Sequence, residues 1–208
     1  MYIKQPQFPN AFRKFLYTQH HPRSEMLTVN IEEYAPFSGW IYVYHSAVTQ
    51  FNAPSDLCGA GGMHREHIRC NPLWRGEMAR HDTVLVSVDD SQCRMHGMLV
   101  AHVLLLFSFH DVYLDKDVPC ALVNWFIPDS GDEPDEVTGM WVVKPECEGN
   151  IQMLEVIHLD TIARGAHLLP MYGSGYLPKD FHYSVSLDVF KSYFVNHYID
   201  HHAHKFLT

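Results

Sequence analysis

Short apolar stretches separated by turn residues dominate the middle of the chain. Their side chains are largely β-branched or aromatic, and Gly, Pro and acidic residues lie between them. Five such stretches follow one another, at residues 80–86, 100–109, 119–126, 139–145 and 156–162. Closely spaced short strands of this kind are typical of an antiparallel barrel. The pattern therefore predicts a small antiparallel β-barrel over residues 80–171.

Amphipathic segments flank this region on both sides. Near the N-terminus, a helical spacing of apolar residues predicts a helix that begins near Pro9 and includes Phe8, Ala11, Phe12, Phe15 and Leu16. Residues 40–51 alternate between two faces and predict a strand. Residues 184–199 predict a C-terminal helix, which Ser186 would cap. Its apolar face would consist of Leu187, Phe190, Phe194, Val195 and Tyr198.

The chain shows no internal repeat and no convincing linker, so a single α+β domain is predicted for its 208 residues. Residues 1–79 would contribute the first helix, the strand and a basic loop. Residues 80–171 would form the barrel core, and residues 172–208 would form the C-terminal helix. The loop is predicted for residues 58–77 because this stretch is punctuated by Gly59, Gly61, Gly62, Asn71–Pro72 and Arg75–Gly76.

The composition limits the class of protein. Hydrophobic residues make up 47% of the chain, which is enough for a real core, and the net charge of −9 argues against general affinity for polyanions. Five cysteines at irregular spacing, without a C-x-x-C pair, indicate a reducing compartment. The N-terminus lacks a signal-peptide pattern, and the longest apolar run is too short for a membrane span of about 20 residues. We expect a nuclear or cytoplasmic protein that is not secreted and has no membrane partner.

A local basic cluster interrupts this acidic chain. It consists of His64, Arg65, His67, Arg69, Arg75 and Arg80. Arginine forms bidentate, charge-assisted hydrogen bonds, so the cluster would suit phosphate groups of nucleic acid or an acidic partner surface. The alternative is ion pairing inside the protein with the interleaved acidic residues Asp56, Glu66, Glu77 and Asp82. The interleaving favours internal pairing, and the loop is nevertheless the first candidate for a partner contact.

Two groups of residues are candidate zinc ligands. The first is Cys58, His64, His67 and Cys70, and the second is His197, Asp200, His201 and His204. Thiolate and imidazole suit zinc, but the first group lies in one short loop with a spacing that matches no standard zinc module. In the second group, pairs of ligands would lie one helical turn apart, a spacing that also suits cationic histidines at a helix C-terminus. No cofactor is expected, with zinc as the alternative.

Sequence signatures of enzymes are missing. The chain has no G-x-S-x-G, no phosphate-binding G-x-x-x-x-G-K-[ST] and no H-E-x-x-H motif, so no catalytic residue is predicted. Trp125, Phe126 and Trp141 are candidates for an aromatic pocket that accepts a methylated lysine or a stacked base. The alternative for these three side chains is the core of the barrel.

Six segments of the chain have distinctive amino-acid sequences: residues 53–69, 119–126, 138–143, 156–162, 166–170 and 200–204. Together they resemble the C-terminal region of Plavaka-type transposases of basidiomycetes, a CACTA-like group of DNA transposons, from about residue 40 onward. In that family the catalytic carboxylates lie in a ribonuclease-H-like core upstream of this region, and nothing in this chain looks like that core. His64, His67 and Cys70 differ from the residue types of the family at these positions, so the resemblance implies no metal site.

The order of the predicted strands also resembles bromo-adjacent homology (BAH) domains, which are β-barrel modules with an SH3-like core. This resemblance implies binding to nucleosomes, histone tails or other chromatin proteins. We therefore predict a non-catalytic accessory module, derived from a fungal DNA transposase, that contacts chromatin protein, DNA or another transposase subunit. The alternatives are a metal-dependent nuclease remnant that uses Asp and His side chains, and a decayed fragment without activity.

Overall fold

Antiparallel strands form most of the computed structural model, which describes residues 5–22, 34, 36–54, 61–89, 91, 94–129, 131, 133–149, 151–177 and 179–207. Within these residues the α-helices are α1 (Phe8–His20), α2 (Ser186–Val189) and α3 (His201–Leu207). The strands are β1 (Ile41–Tyr44), β2 (Ser46–Asn52), β3 (Met63–Trp74), β4 (Met78–His81), β5 (Thr83–Ser87), β6 (Met98–Asp111), β7 (Lys116–Pro128), β8 (Trp141–Pro145), β9 (Cys147–Glu148), β10 (Ile151–Gln152), β11 (Leu154–His158), β12 (Ile162–Ala166), β13 (Leu168–Pro170) and β14 (Tyr193–Val195).

The main sheet nearly closes into a barrel. Its strand order is β12-β5-β6-β7-β8-β14-β13, and every neighbouring pair is antiparallel. The two ends of this order are consecutive in the chain, because only His167 separates β12 from β13. The carbonyl of His167 also accepts a hydrogen bond from the backbone N–H of Asn196 at 2.8 Å. Apolar side chains from these strands meet inside the barrel, including Leu85, Val100, Phe126, Trp141, Val143, Tyr193 and Val195.

Strands β6 and β7 are the longest of the described strands because each pairs with different partners along its two halves. One half of β6 pairs with β5 in the barrel, and the other half pairs with β1. In the same way, β7 pairs with β8 at one end and with β11 at the other. A β-bulge between Val103 and Leu105 shifts the register of β6 where its partners change. Such a bulge bends a strand, which lets one pair of strands serve both the barrel and the sheet extension.

Helix α1 covers one face of the extension formed by β1, β6, β7 and β11. Its residues Phe8, Phe12, Phe15 and Leu16 are buried and share one helical face. The ring of Phe12 meets those of Phe107 and Phe109 edge to face, with centroids 5.6 and 4.9 Å apart. Pro9 lies in the first turn, where its missing N–H is not needed for a helical hydrogen bond.

A separate three-stranded sheet, β2-β3-β4, packs on the opposite face of β6 and β7. Its inward residues Ile68 and Cys70 are 2% and 4% exposed, and they join a cluster with Val103 and Trp125. The two long strands are therefore buried on both faces, which explains why their sequence reads as a nearly continuous apolar run.

The structure confirms the predicted α+β fold with an antiparallel barrel and helices near both ends. Residues 58–77 were expected to form a loop, and this was wrong where the structure describes them, because β3 and β4 form a hairpin there. The helix expected over 184–199 was also wrong. Only Ser186–Val189 is α-helical, and β14 occupies 193–195, beyond the boundary expected for the barrel. Pairing with β8 and β13 buries Tyr193 and Val195 almost fully, and this burial outweighs the local helical pattern.

We expect Phe12→Ala to lower the free energy of unfolding by about 4 kcal/mol, because it leaves a cavity between α1 and the sheet. Urea unfolding followed by tryptophan fluorescence measures this change. Lys14→Ala on the exposed face of the same helix is the matched control and should change stability by less than about 0.5 kcal/mol. Equal stability of the two variants would contradict the packing of α1 described above.

Candidate functional site

The outward face of the β2-β3-β4 sheet carries most of the basic cluster. Along β3, residues alternate between the two faces, so Arg65, His67 and Arg69 lie on the outward face. Arg65 and His67 are exposed, and Arg69 is half-buried. Arg80 on β4 pairs with Asn71 and therefore lies on this same face. We call this surface the basic face, formed by Arg65, His67, Arg69 and Arg80.

No acidic side chain of β2 opposes the residues of the basic face on β3. In the register of β2 with β3, Ser46 faces Arg69, Val48 faces His67 and Gln50 faces Arg65. All three β2 residues are exposed. Cross-strand neighbours on one face lie about 5 Å apart, the distance at which an opposite charge would pair. The basic face therefore presents Arg65 and Arg69 beside neutral side chains of β2.

An indole surrounded by guanidinium groups stands at the tip of the β3–β4 hairpin. The guanidinium carbons of Arg69, Arg75 and Arg80 lie 5.2, 5.7 and 5.2 Å from the ring centroid of Trp74. Cations over an indole face are attracted by the ring quadrupole, so the ring holds the three groups close together. The turn needs positive φ angles at Arg75 (54°) and at Gly76 (79°). We call this group the Trp74 cluster.

Internal ion pairing accounts for only part of this charge. Arg80 Nε donates to Asp82 Oδ1 at 2.9 Å, and the other carboxylate oxygen accepts from the backbone N–H of Arg69 at 2.8 Å. Glu66 points inward instead and accepts from the backbone N–H of Gly165 at 2.8 Å. Asp56 lies outside the described residues. Within the described part of the chain, the side chains of Arg65, Arg69 and Arg75 form no ion pair.

An open cavity of about 640 Å³ adjoins the Trp74 cluster. It separates the hairpin from residues 184–188, and His81 and His102 form part of its wall. Burial, together with the neighbouring His81, lowers the pKa of His102 to about 4. Burial also lowers the pKa of His81, although Asp82 opposes this shift. Both imidazoles are therefore neutral at pH 7, and the positive charge here belongs to the arginines.

The first candidate zinc group does not converge among its described members, and Cys58 lies outside the described residues. His64 and Cys70 lie on the inward face of β3, whereas His67 lies on the outward face. Burial raises the pKa of Cys70 to about 12, so its sulfur stays a thiol, and it donates weakly to the carbonyl of Val103 at 3.7 Å. Across the described residues, no group of three or more His, Cys, Asp or Glu side chains is arranged to hold a metal ion.

The second candidate group does not lie on one helix, because α3 begins only at His201. The ring centroids of His197 and His204 nevertheless lie 5.1 Å apart. Asp200 Oδ1 accepts the backbone N–H of Ala203 at 2.6 Å, and Oδ2 accepts from Arg164 Nη2 at 2.7 Å. Asp200 therefore caps α3 and pairs with a buried arginine, which gives this carboxylate a structural role.

The aromatic pocket expected from Trp125, Phe126 and Trp141 was wrong, because all three side chains are buried in the core. Trp125 packs against the β2-β3-β4 sheet and donates from Nε1 to Glu155 Oε2 at 2.7 Å. Phe126 and Trp141 belong to the opposite, barrel side. Neighbouring residues of one strand point to opposite faces, so Trp125 and Phe126 cannot line one pocket.

Sequence reasoning missed two groupings. Trp74 was not singled out, although its position between arginines one and five residues away was a visible signal.

The second grouping connects α1 to the β6–β7 turn. Asp111 is 3% exposed and accepts a hydrogen bond from His20 Nε2 at 2.8 Å. His20 Nδ1 contacts the hydroxyl of Tyr34. Burial would raise the pKa of Asp111, but the hydrogen bonds that it accepts from His20, Leu114 and Tyr113 outweigh burial and lower it.

Comparison of the chain with protein-family models, curated proteins and solved structures gives no match. The resemblances to Plavaka-type transposases and to BAH domains therefore stay predictions. In the part of the chain that the structure describes, no helix combines the length and apolar character needed to cross a membrane.

We expect the free energy of unfolding to fall as the pH drops from 6.5 to 4. The folded chain keeps His102 neutral down to about pH 4, whereas the unfolded chain binds a proton there near pH 6.5. The contribution of His102 to the free energy of unfolding is thus fully present above pH 6.5. It is lost as the pH falls towards 4, by up to about 3 kcal/mol. Urea unfolding at several pH values should show a flatter profile for His102→Gln. A flatter profile for the exposed control His201→Gln as well would contradict this assignment.

We expect Asp200→Ala to lower the free energy of unfolding by about 3 kcal/mol, because it leaves the Arg164 guanidinium, whose side chain is 4% exposed, without its partner. Thermal unfolding measures this loss. Asp180→Ala removes an exposed carboxylate elsewhere and is the control. An equal effect of both variants would contradict the pairing of Asp200 with Arg164. A melting temperature of the unmodified protein that drops in a chelator would instead favour the metal alternative.

Proposed function

We propose that this chain is a non-catalytic binding module for nucleic acid and that it uses the basic face and the Trp74 cluster. One observation carries the proposal: three guanidinium groups surround an indole on a hairpin, and within the described residues only Arg80 has a carboxylate partner. Arginines that are already clustered, but not neutralised, are suited to bind phosphate groups.

Phosphate recognition follows from the chemistry of this surface. A guanidinium group donates two parallel hydrogen bonds to one phosphate, and it keeps its charge at all physiological pH values. The rigid sheet fixes the spacing of Arg65 and Arg69 on β3, and stacking against Trp74 restricts the side chains at the hairpin tip. This preorganisation lowers the entropy lost when a ligand binds.

The net charge of −9 restricts how nucleic acid would approach. Away from the basic face, the acidic surface repels a polyanion, whereas the basic face attracts it. The binding would therefore be local, oriented and sensitive to salt, without the broad affinity of a basic protein. A chromatin protein or another transposase subunit would have to offer an acidic surface to this same face.

The resemblance to the C-terminal region of Plavaka-type transposases supports this function. In such a protein, the module would act beside a separate catalytic core and would hold the DNA of the element or of its target, in the nucleus. The chromatin alternative rests on the resemblance to BAH domains. This resemblance concerns the order of the predicted strands, and a shared fold does not imply a shared function.

The proposal predicts DNA binding that weakens steeply with salt, measured by fluorescence anisotropy of a labelled 30-base-pair duplex and a single strand of the same length. Each phosphate contact releases a counterion and contributes about 0.7–0.9 to the slope of log affinity against log salt concentration. The double variant Arg69→Gln with Arg75→Gln should bind about tenfold more weakly and lower that slope by about 1 to 2.

The matched control is Lys14→Gln with Lys191→Gln, which removes the same charge from α1 and from the segment before β14. This control should retain nearly full affinity. An equal loss in both double variants would show that only net charge matters and would contradict a defined surface. Metal-dependent nicking of plasmid DNA by the unmodified protein would instead support the nuclease alternative.

A further inference from the structure

A row of exposed aromatic side chains lies on and just before β1, the strand that leads into β2 beside the basic face. Trp40, Tyr42 and Tyr44 are 83%, 59% and 49% exposed. Tyr42 and Tyr44 are two residues apart on β1 and therefore share one face, and Trp40 continues the same spacing just before the strand. We call these three residues the aromatic row. A cluster of large, exposed aromatic side chains marks an interaction surface, whereas single exposed apolar residues are normal.

The backbone beneath the row is held by the rest of the sheet. Ile41 and Val43 pair with Phe109 and Phe107 of β6, and Ile41 packs against the core under α1. The hydroxyl of Tyr44 lies 3.1 Å from Ser108 Oγ on β6, which positions this ring across the neighbouring strand. The row is thus a fixed feature of a rigid sheet, which keeps the entropic cost of binding low.

The aromatic row is continuous with the basic face. Strand β1 leads through His45 into β2, whose first residue, Ser46, pairs with Arg69. The backbone N–H of Cys70 also donates to the carbonyl of His45 at 2.9 Å, so β3 follows the chain through this junction. Two residues along a strand span about 7 Å, and paired residues lie about 5 Å apart. The Cα atoms of Tyr44 and Arg69 therefore lie within roughly 12 Å of each other, a distance that one short stretch of nucleic acid bridges.

We propose that the aromatic row stacks unpaired bases, so that the ligand of this surface is single-stranded nucleic acid. The inference rests on the proposed function and names its substrate class. Phosphates would lie along Arg65, Arg69 and the Trp74 cluster, and the bases that follow would stack on Tyr44, Tyr42 and Trp40. Every base has a π-face, so such stacking tolerates any sequence, and a charged groove beside aromatic rings is how sequence-independent single-strand binding is built.

A duplex and a basic peptide fit this surface less well than single-stranded nucleic acid does. In a duplex the bases are stacked on each other and their faces are closed to side chains, so the aromatic row would stay unused. A basic peptide would gain from the aromatic rings but would be repelled by the arginines of the basic face. An acidic peptide would satisfy the arginines, and the experiment below treats it as a competing outcome.

The test compares three labelled 12-mers: a single strand, a duplex, and a single strand in which abasic sites replace the bases but every phosphate is kept. The variant is Tyr42→Leu with Tyr44→Leu, which keeps apolar side chains on β1 and removes the rings. We expect the double variant to bind the single strand about 10- to 100-fold more weakly, because about tenfold is lost for each stacked base. Affinity for the duplex and the slope against salt should stay unchanged.

Tyr172→Leu with Tyr176→Leu is the matched control, because both tyrosines are exposed outside this surface. The unmodified protein should also bind the abasic strand at least as weakly as the Tyr42 and Tyr44 double variant binds the normal strand, because Trp40 remains in that variant. The inference is overturned if the abasic strand binds as tightly as the normal one, or if the two double tyrosine variants behave alike. It is overturned too if a poly-glutamate peptide displaces the strand at equal concentration.

Failure of this inference is distinguishable from failure of the proposed function. Salt-dependent binding that depends on Arg69 and Arg75 but not on the tyrosines would leave the proposed function standing and remove the stacking. Absence of binding to all three 12-mers, or binding that the arginine variants leave unchanged, would remove both.

Discussion

The pairing of β6 with β7 is the constraint on which the rest of the structure depends. Their register extends from Val100 opposite Phe126 to Asp111 opposite Lys116, and it places apolar side chains on both faces of the sheet. A slip of one residue would exchange the barrel core with the core under the β2-β3-β4 sheet, because successive residues point to opposite faces. Burial on both sides therefore fixes the register, and the register in turn positions every element packed on these strands.

The basic face follows from this constraint. Strand β3 is anchored because Ile68 and Cys70 fill the cluster on β6 and β7, and alternation then turns Arg65, His67 and Arg69 toward solvent. The strand thus positions the backbone of these residues, and Trp74 holds the guanidinium group of Arg69. Arg65 and Arg69 lie beside neutral neighbours, and this is the electrostatic basis of the polyanion binding that we propose.

The strands of the barrel could be predicted because their apolar runs are long and bounded by turn residues. The β3–β4 hairpin could not, because its proline and glycine residues suggest a loop; Pro72 is tolerated where the pairing is irregular, between Asn71 and Trp74. The arginines of the site could be predicted from their clustering. Their arrangement around Trp74 could not, since it exists only after β3 and β4 pair, and the helical spacing around Phe194 concealed a strand that tertiary pairing imposes.

The position of β14 in the barrel has a consequence for how the protein is made. This strand, Tyr193–Val195, fills the gap between β8 and β13, although about fifty residues separate it from β8 in the chain. During translation the barrel cannot close until residue 195 has left the ribosome, and until then β8 and β13 expose unpaired backbone. Open strand edges pair readily with other chains, so the nascent protein is prone to aggregate during this interval.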